Sequence, residues 1–411
     1  MSSIAAVDIG STKVVAAIVD LENGGSPRLI GVGIAPCSGT KKGVVVDIED
    51  TAEAIVGAIR KAEHMANRKI GAAAVSISGE HLRSRESRGL VPILNPARTI
   101  SREDVHRVIN HSKQIAIEND REMIMAIPRS FRVDGQDGVT RPLDMSGERL
   151  EVDTLLVTGL SSHIDNLQKS LSKAQLEVEN VVPRAIATGL AVTDASERDS
   201  GVAVIDIGGG ATDIVVYNEG SPVHIAMLPI GAQHVTSDIQ YLLKTSPEEA
   251  ERIKIDSGSC DFEQIGEDEF VEVEQLGASQ KRPFSRKVLA EIIASRMREI
   301  LCMARDEIAA ATGFRKIGAG IVLTGGGSAI SGLADLAAGV FETGVRTGSP
   351  QHFGGLGDSL GGPEHATAAG LIRHGLRARE DGSVAAESGD WRKFIRNIGS
   401  IFSNKPKEEA K

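Results

Sequence analysis

Short apolar runs broken by turns open the chain. IAAVDIG, KVVAAIVD and RLIGVGIAP read as three successive strands, the meander that starts an α/β domain. Residues 51–64 carry Ala54, Ile55, Ala58 and Ile59 at helical spacing, which predicts a helix with one apolar face. AAAVSIS at 72–78 restores the strand pattern. From about Glu80 the character changes: LVPILN, EMIMAIPRSFRV and RLEVDTLLVTGL predict strands, and residues 101–118 and 161–176 predict helices. Together they form an αβ insertion over residues 81–181. At GVAVIDIGGGATDIVVYNEG the opening theme returns as strand, glycine turn and strand, which points to an internal duplication. A long helix over 286–311 leads to the strand AGIVLTGGG, and the globular part is expected to end near Arg377.

At 411 residues the chain exceeds what one core organises. With about 150 residues per domain, two or three domains are expected. Hydrophobic residues at 41% and charged residues at 25% supply enough apolar side chains for real cores. The formal charge of -10 repels nucleic acid and acidic membranes on average, so no nucleic-acid partner is expected. Lipid contact would need a local basic patch. Cys37, Cys260 and Cys302 are far apart without metal-ligand spacing, and read as reduced thiols of a cytosolic protein. The start MSSIAAVDIGSTK lacks the charged and apolar regions of an export signal. No run reaches the roughly 18 apolar residues of a membrane span.

The chemistry concentrates in three glycine turns. Asp8-Ile9-Gly10-Ser11-Thr12-Lys13 lies between two apolar strands. Its glycine and small hydroxyl residues let backbone N–H groups approach a phosphate, its lysine can neutralise phosphate charge, and its carboxylate can hold the water shell of Mg²⁺. Asp206-Ile207-Gly208-Gly209-Gly210-Ala211-Thr212-Asp213 offers the same chemistry again, with Asp206 also the candidate catalytic base. Thr324-Gly325-Gly326-Gly327-Ser328 follows a buried strand and can pass flat under a base or ribose. One such turn alone is ordinarily a plain hairpin. Three in this order, the first two duplicated, are specific.

This constellation resembles the superfamily of actin, sugar kinases and heat-shock chaperone ATPases. The resemblance implies an α/β, actin-like (ribonuclease-H-like, duplicated) two-lobed ATPase fold that binds ATP and Mg²⁺. It also implies that the helix after Ser246 offers Glu251 and Lys254 to the ribose and adenine, although those residues alone read equally as a solvated face. Along most of the chain the match narrows to the FtsA family. The segments IGAQHVTSDIQYLLKTSPEEAERIKIDSG (230–258) and PEHATAAGLI (363–372) look like that family's second-lobe and closing helices. The insertion stands where FtsA carries subdomain 1C, and MreB and actin lack it. Residues 1–80 and 182–200 are then the first lobe and 201–378 the second, with a closing helix at 363–376 returning to the first.

Membership implies partners: the C-terminal peptide of FtsZ, bound by the second lobe within about residues 232–300, further copies of the chain in a polymer, and later divisome proteins. The place implied is the cytoplasmic face of the bacterial inner membrane at the division site. Arg286, Lys287, Arg296 and Arg298 are a candidate basic face for the acidic peptide, or a solvated helix face. Efficient actin-like ATPases usually place Gln or Glu in the connecting helix before the second phosphate turn, to orient the attacking water. Here Pro183 stands near that position, so hydrolysis is expected to be slow at best. PilM-type scaffolds share the insertion and a sugar kinase shares the lobes, so both remain competitors.

The end of the chain weighs against PilM. Residues 379–390 are small, acidic and aperiodic, a linker whose twelve residues reach roughly 19 Å. Residues 391–403 predict an amphipathic helix, with Trp391, Phe394, Ile395, Ile398, Ile401 and Phe402 on one face and Arg392, Lys393 and Arg396 on the other. At about 18 Å it is too short for a ~30 Å hydrocarbon core and would lie in the interface of an anionic membrane. Three basic residues contribute on the order of 3 kcal/mol there and partial apolar burial ~5 more, before ordering costs. One copy would bind reversibly.

Overall fold

The computed structural model describes residues 2–21, 26–277, 280–313 and 317–380. The expected membrane helix at 391–403 lies outside the described residues, as does the linker beyond Glu380.

β1 (Ser2–Ile9), β2 (Lys13–Leu21) and β3 (Arg28–Pro36) form the opening meander. A short hairpin, β4 (Thr40–Lys41) and β5 (Val44–Val45), leads into α1 (Ile48–Ala66) and β6 (Ala72–Ile77). The Asp47 carboxylate caps α1 by accepting from the Asp50 N–H, and Asn67 ends it in the left-handed conformation. Its buried stripe, Ala54, Ile55, Ala58 and Ala62, packs on β2 and β3.

β7 (Arg83–Pro92), α2 (Arg102–Ser112), β8 (Arg121–Val133), β9 (Gln136–Val139) and β10 (Arg149–Leu160) build a separate antiparallel sheet of order β7-β10-β8-β9. It has its own core, centred on Ile93, Ile100, Val105, Val108, Leu150 and Val152. α2 stops at Ser112 instead of reaching 118, because the stripe Val105, Val108, Ile109 gives way to Ile115 and Ile117, half-buried at alternate positions. α3 (Ser161–Lys173) and β11 (Glu177–Pro183) do not join this sheet. β11 pairs in parallel with β6, and α3 packs on α1. The insertion therefore ends near Leu160, not at 181, and residues 161–183 belong to the first lobe.

α4 (Arg184–Val192) and the short α5 (Ala195–Ser200) lead to the second lobe. There follow β12 (Val202–Ile207), β13 (Thr212–Asn218), β14 (Ser221–Leu228), α6 (Ala232–Leu243) and α7 (Pro247–Ser257). After them come β15 (Phe270–Val273), β16 (Arg282–Ser285), α8 (Arg286–Thr312), β17 (Ile321–Thr324), α9 (Leu333–Phe341) and β18 (Val345–Thr347). The second sheet runs β18-β17-β12-β13-β14, and the first runs β11-β6-β1-β2-β3 with β19 (Gly354–Gly355) added at its edge. Order and strand sense agree position by position, so the duplication is a duplication of sheets. α10 (Ala366–Glu380) returns to the first lobe and packs on α4 and β1, with Arg379 donating to the Ser3 carbonyl at 2.9 Å. It runs on through Glu380, past the expected end of the closing helix at 376. One apolar cluster joins Val7, Val75, Ile186 and Leu371 to Val204 and Tyr217 of the second lobe, so the lobes share a dry base.

Candidate functional site

The first two glycine turns close alike. Gly10 N–H donates to the Lys13 carbonyl at 2.9 Å, and Gly208 N–H donates to the Ala211 carbonyl at 2.9 Å. Each is tied to its own lobe. The Thr40 hydroxyl donates to the Gly10 carbonyl at 2.7 Å and Gly43 N–H donates to Ser11 Oγ at 3.2 Å. In the second lobe the first turn of α6 donates from Ala232 and Gln233 to the carbonyls of Gly208 and Gly209, and Thr212 Oγ1 donates to Ile230 O. The turns meet across the cleft. A Cβ at Gly209 would stand 2.6 Å from Thr12 Cγ2, and one at Gly210 would stand 2.9 Å from Ser11 Oγ. Glycine is needed there because the other lobe approaches, not because of backbone twist.

The third turn leaves β17 beside β12, Thr324 pairing with Asp206. Gly325 has φ +83, and a Cβ on it would sit 2.2 Å from Asp206 Oδ1. Gly326 and Gly327 continue the turn, closed by the Ser328 hydroxyl donating to the Gly325 carbonyl at 2.7 Å.

Asp8, Asp206 and Asp213 are all buried at the cleft floor. The Ser76 hydroxyl donates to Asp8 at 2.7 Å. Thr188 and Thr367 donate to Asp206 Oδ2 at 2.9 and 3.3 Å. Ser78 of the first lobe donates to Asp213 of the second at 2.7 Å. Burial raises Asp206 against the opposing pull of Arg184, and pushes Asp213 up to about 7. Asp206, the candidate base, is thus held as an acceptor by two hydroxyls.

Arg184, the first residue of α4, enters this cluster. Its Nη2 donates to Asp8 Oδ1 at 2.6 Å and to the Ile9 carbonyl at 3.0 Å, and its Nε lies 3.8 Å from Asp213 Oδ2. Burial opposes its charge, but Asp8, Asp213 and Asp206 outweigh burial and hold the guanidinium above its ordinary value. Pro183 stands near the position expected to orient the attacking water. Pro183 is the N-cap of α4, and Arg184 is the side chain that reaches the cleft. Its signal was the single charge inside the apolar run VVPRAIATGLAV. At the cleft edge, burial lowers Lys13 while Glu364 and Asp8 oppose it, and beside it the buried His365 Nδ1 has no hydrogen-bond partner.

Glu251 and Lys254 stand where α7 meets α6. Lys254, buried, donates to Glu251 Oε2 at 2.7 Å, Thr236 Oγ1 at 2.9 Å and the Ala232 carbonyl at 3.3 Å. All three ammonium protons are engaged inside the lobe, one of them beside the second glycine turn. Lys254 braces Glu251, whose side chain is 43% exposed. The expected basic face of α8 is largely neutralised: Arg286 pairs with Glu269, Lys287 with Glu267, and Arg296 with Asp238 and Glu299. The same lobe instead exposes Tyr241, Ile255, Phe270 and Leu276.

Comparison with known proteins places these features. The profile of the Cell division protein FtsA family matches residues 203–370, and that of the SHS2 domain inserted in FtsA matches 79–158. The chain is 38% identical to Cell division protein FtsA of Neisseria meningitidis over 396 residues, 94% of each chain. It is 34% identical to that of Escherichia coli K12 over 402 residues, 95% of each. Among solved structures it resembles the PilM-PilN type IV pilus biogenesis complex (TM-score 0.62, 18% identity, 91% of this chain and 98% of that one). It also resembles MreB5 of Spiroplasma citri bound to ADP (TM-score 0.56, 13% identity, 93% and 99%). The fold is actin-like with an SHS2 insertion, and the chain belongs to the FtsA family of cell division proteins.

Proposed function

We propose that the chain is an ATP-binding, polymerising protein that tethers FtsZ filaments to the cytoplasmic face of the inner membrane at the septum and helps recruit later divisome proteins. The observation that carries the nucleotide part is the facing pair of glycine turns, one from each lobe, over a floor of three buried carboxylates. The groups fit the ligand. Gly10–Lys13 and Gly208–Thr212 offer backbone and hydroxyl donors to phosphates, and Gly325–Ser328 with Glu251 borders the nucleoside end. Three carboxylates against one guanidinium leave excess negative charge, which suits Mg²⁺ held through water by Asp8 and Asp206. When bound, that ion supplies charge neutralisation on the phosphates.

Hydrolysis is slow in this reading, because the connecting helix α4 carries no Gln or Glu and both Asp206 oxygens are crowded by hydroxyls and Gly325. ATP sets the lobe geometry. The exposed apolar side chains Tyr241, Ile255, Phe270 and Leu276 suit an FtsZ tail peptide better than the paired cations of α8. Membrane residence rests on the sequence of residues 391–403.

The test is co-sedimentation with anionic liposomes of the full chain and of one truncated after Asp390, each with and without Mg-ATP. The full chain is expected in the pellet and the truncated one in the supernatant. If both stay soluble in every condition, the tail is a protein-docking helix and a PilM-like scaffold becomes the better reading.

A further inference from the structure

We infer that Arg184 is a resident cation of the cleft: it meets part of the carboxylate charge a divalent ion would otherwise have to meet, and pins the two lobes together with or without that ion. The inference rests on the nucleotide reading for its ligand, and on the geometry of the floor for everything else.

Asp8 comes from β1, while Asp206 and Asp213 come from β12 and β13, so the acids belong to both lobes. Left to themselves, three buried carboxylates repel one another or must take up protons, and Asp206 and Asp213 are already raised by burial. Hydroxyls from Ser76, Ser78, Thr188 and Thr367 satisfy hydrogen bonds but carry no charge. Lys13, the other nearby cation, sits at the cleft edge between Glu364 and Asp8. Arg184 alone among the described residues bonds Asp8 while lying 3.8 Å from Asp213. It stands at the N-terminus of α4, whose backbone dipole adds positive potential at the same point. Its Nη2 also bonds the Ile9 carbonyl, directly beneath the first phosphate turn. A planar fork can hold two acids and a carbonyl at once, which a flexible lysine does poorly.

The consequence concerns metal dependence. With Arg184 in place, loss of Mg²⁺ leaves one cation on the floor, and ATP meets less uncompensated charge. Without Arg184, the ion becomes the main neutralising partner of the floor, with Lys13 left only at its edge.

ATP affinity measured by calorimetry in excess MgCl₂ and in EDTA gives a ratio for each protein. Arg184→Gln is expected to widen that ratio by at least about tenfold over the unmodified chain. Arg184→Lys, which keeps the charge but not the fork, should fall between. Equal ratios for the Gln variant and the unmodified chain would overturn the inference. A second measurement needs no nucleotide: thermal melting with MgCl₂ against KCl of matched ionic strength. The Gln variant should gain more from Mg²⁺ than the unmodified chain, and an equal shift overturns the inference as well. Should the unmodified chain bind no ATP in either buffer, the nucleotide reading falls, while the melting comparison still decides the role of Arg184. If the Gln variant does not fold, Arg184→Met, which also removes the charge, carries both measurements with the same outcomes.

Discussion

His81 stands where the insertion leaves the first lobe, its ring stacked on that of His163 with centroids 4.7 Å apart and its Nδ1 accepting from the Leu160 N–H at 3.2 Å. Burial, helped by His163, lowers its pKa from the ordinary 6.5 to about 4. Between those values the unfolded chain binds the proton and the folded chain does not, so stability rises with pH. The contribution is present above about pH 6.5 and is lost as pH falls through 4, on the order of 3 kcal/mol. Because the raised Asp213 tilts stability the opposite way in this window, the readout is the difference: melting temperature from pH 7 to pH 4 should fall less in His81→Phe than in the unmodified chain. At Gly325 the cause is steric. A left-handed φ and a Cβ 2.2 Å from Asp206 Oδ1 make Gly325→Ala costly by roughly 1–3 kcal/mol in urea unfolding, with ATP affinity falling too. The glycines were legible because their spacing repeats. Arg184 was passed over because a sequence shows one charge in an apolar run but not the three acids, from strands far apart, that justify burying it.

At the scale of elements, pattern and partner separate. The meander strands and α1 were legible because both the apolar positions and the neighbours lie close in sequence. β11 was not read as a strand at all: its partner β6 lies on the far side of the whole insertion, and nothing local in sequence marks the pairing. The insertion has a core of its own, but Ile124 and Met125 of β8 and Val157 of β10 pack into the first lobe's cluster, so only the end built around α2 is energetically separable. Ile100 is fully buried at its centre. Ile100→Ala should therefore cost about 2–5 kcal/mol, felt as faster amide exchange in α2, β8 and β10. Exchange at the glycine turns and ATP affinity should stay unchanged. Exchange quickening throughout the chain would show that the insertion and the lobes unfold as one unit.

The whole molecule is two similar sheets joined at a dry base and divided by a polar cleft. At the base, α4 and α10 cross beneath both sheets, and a Cβ at Gly370 would lie 1.7 Å from the Ala187 carbonyl, so the crossing leaves no room for sliding. At the top, the contacts between lobes are glycine turns, single hydrogen bonds such as Ser78 to Asp213, and the Arg184 guanidinium between Asp8 and Asp213. Contacts of that kind can be remade when a ligand enters, whereas a close-packed apolar base resists deformation. Motion should therefore be confined to the cleft. Hydrogen exchange with and without Mg-ATP is expected to slow at Gly10–Lys13 and Gly208–Ala211 and to stay the same along α4 and α10. Such a response sets one lobe against the other, and a polymer contact that spans both lobes would read it as a change of fit. Copies aligned in a polymer would present their terminal segments to a membrane together, raising effective concentration without any new contact. Liposome binding should then climb more steeply than linearly with protein concentration in Mg-ATP, and linearly in a variant that cannot polymerise.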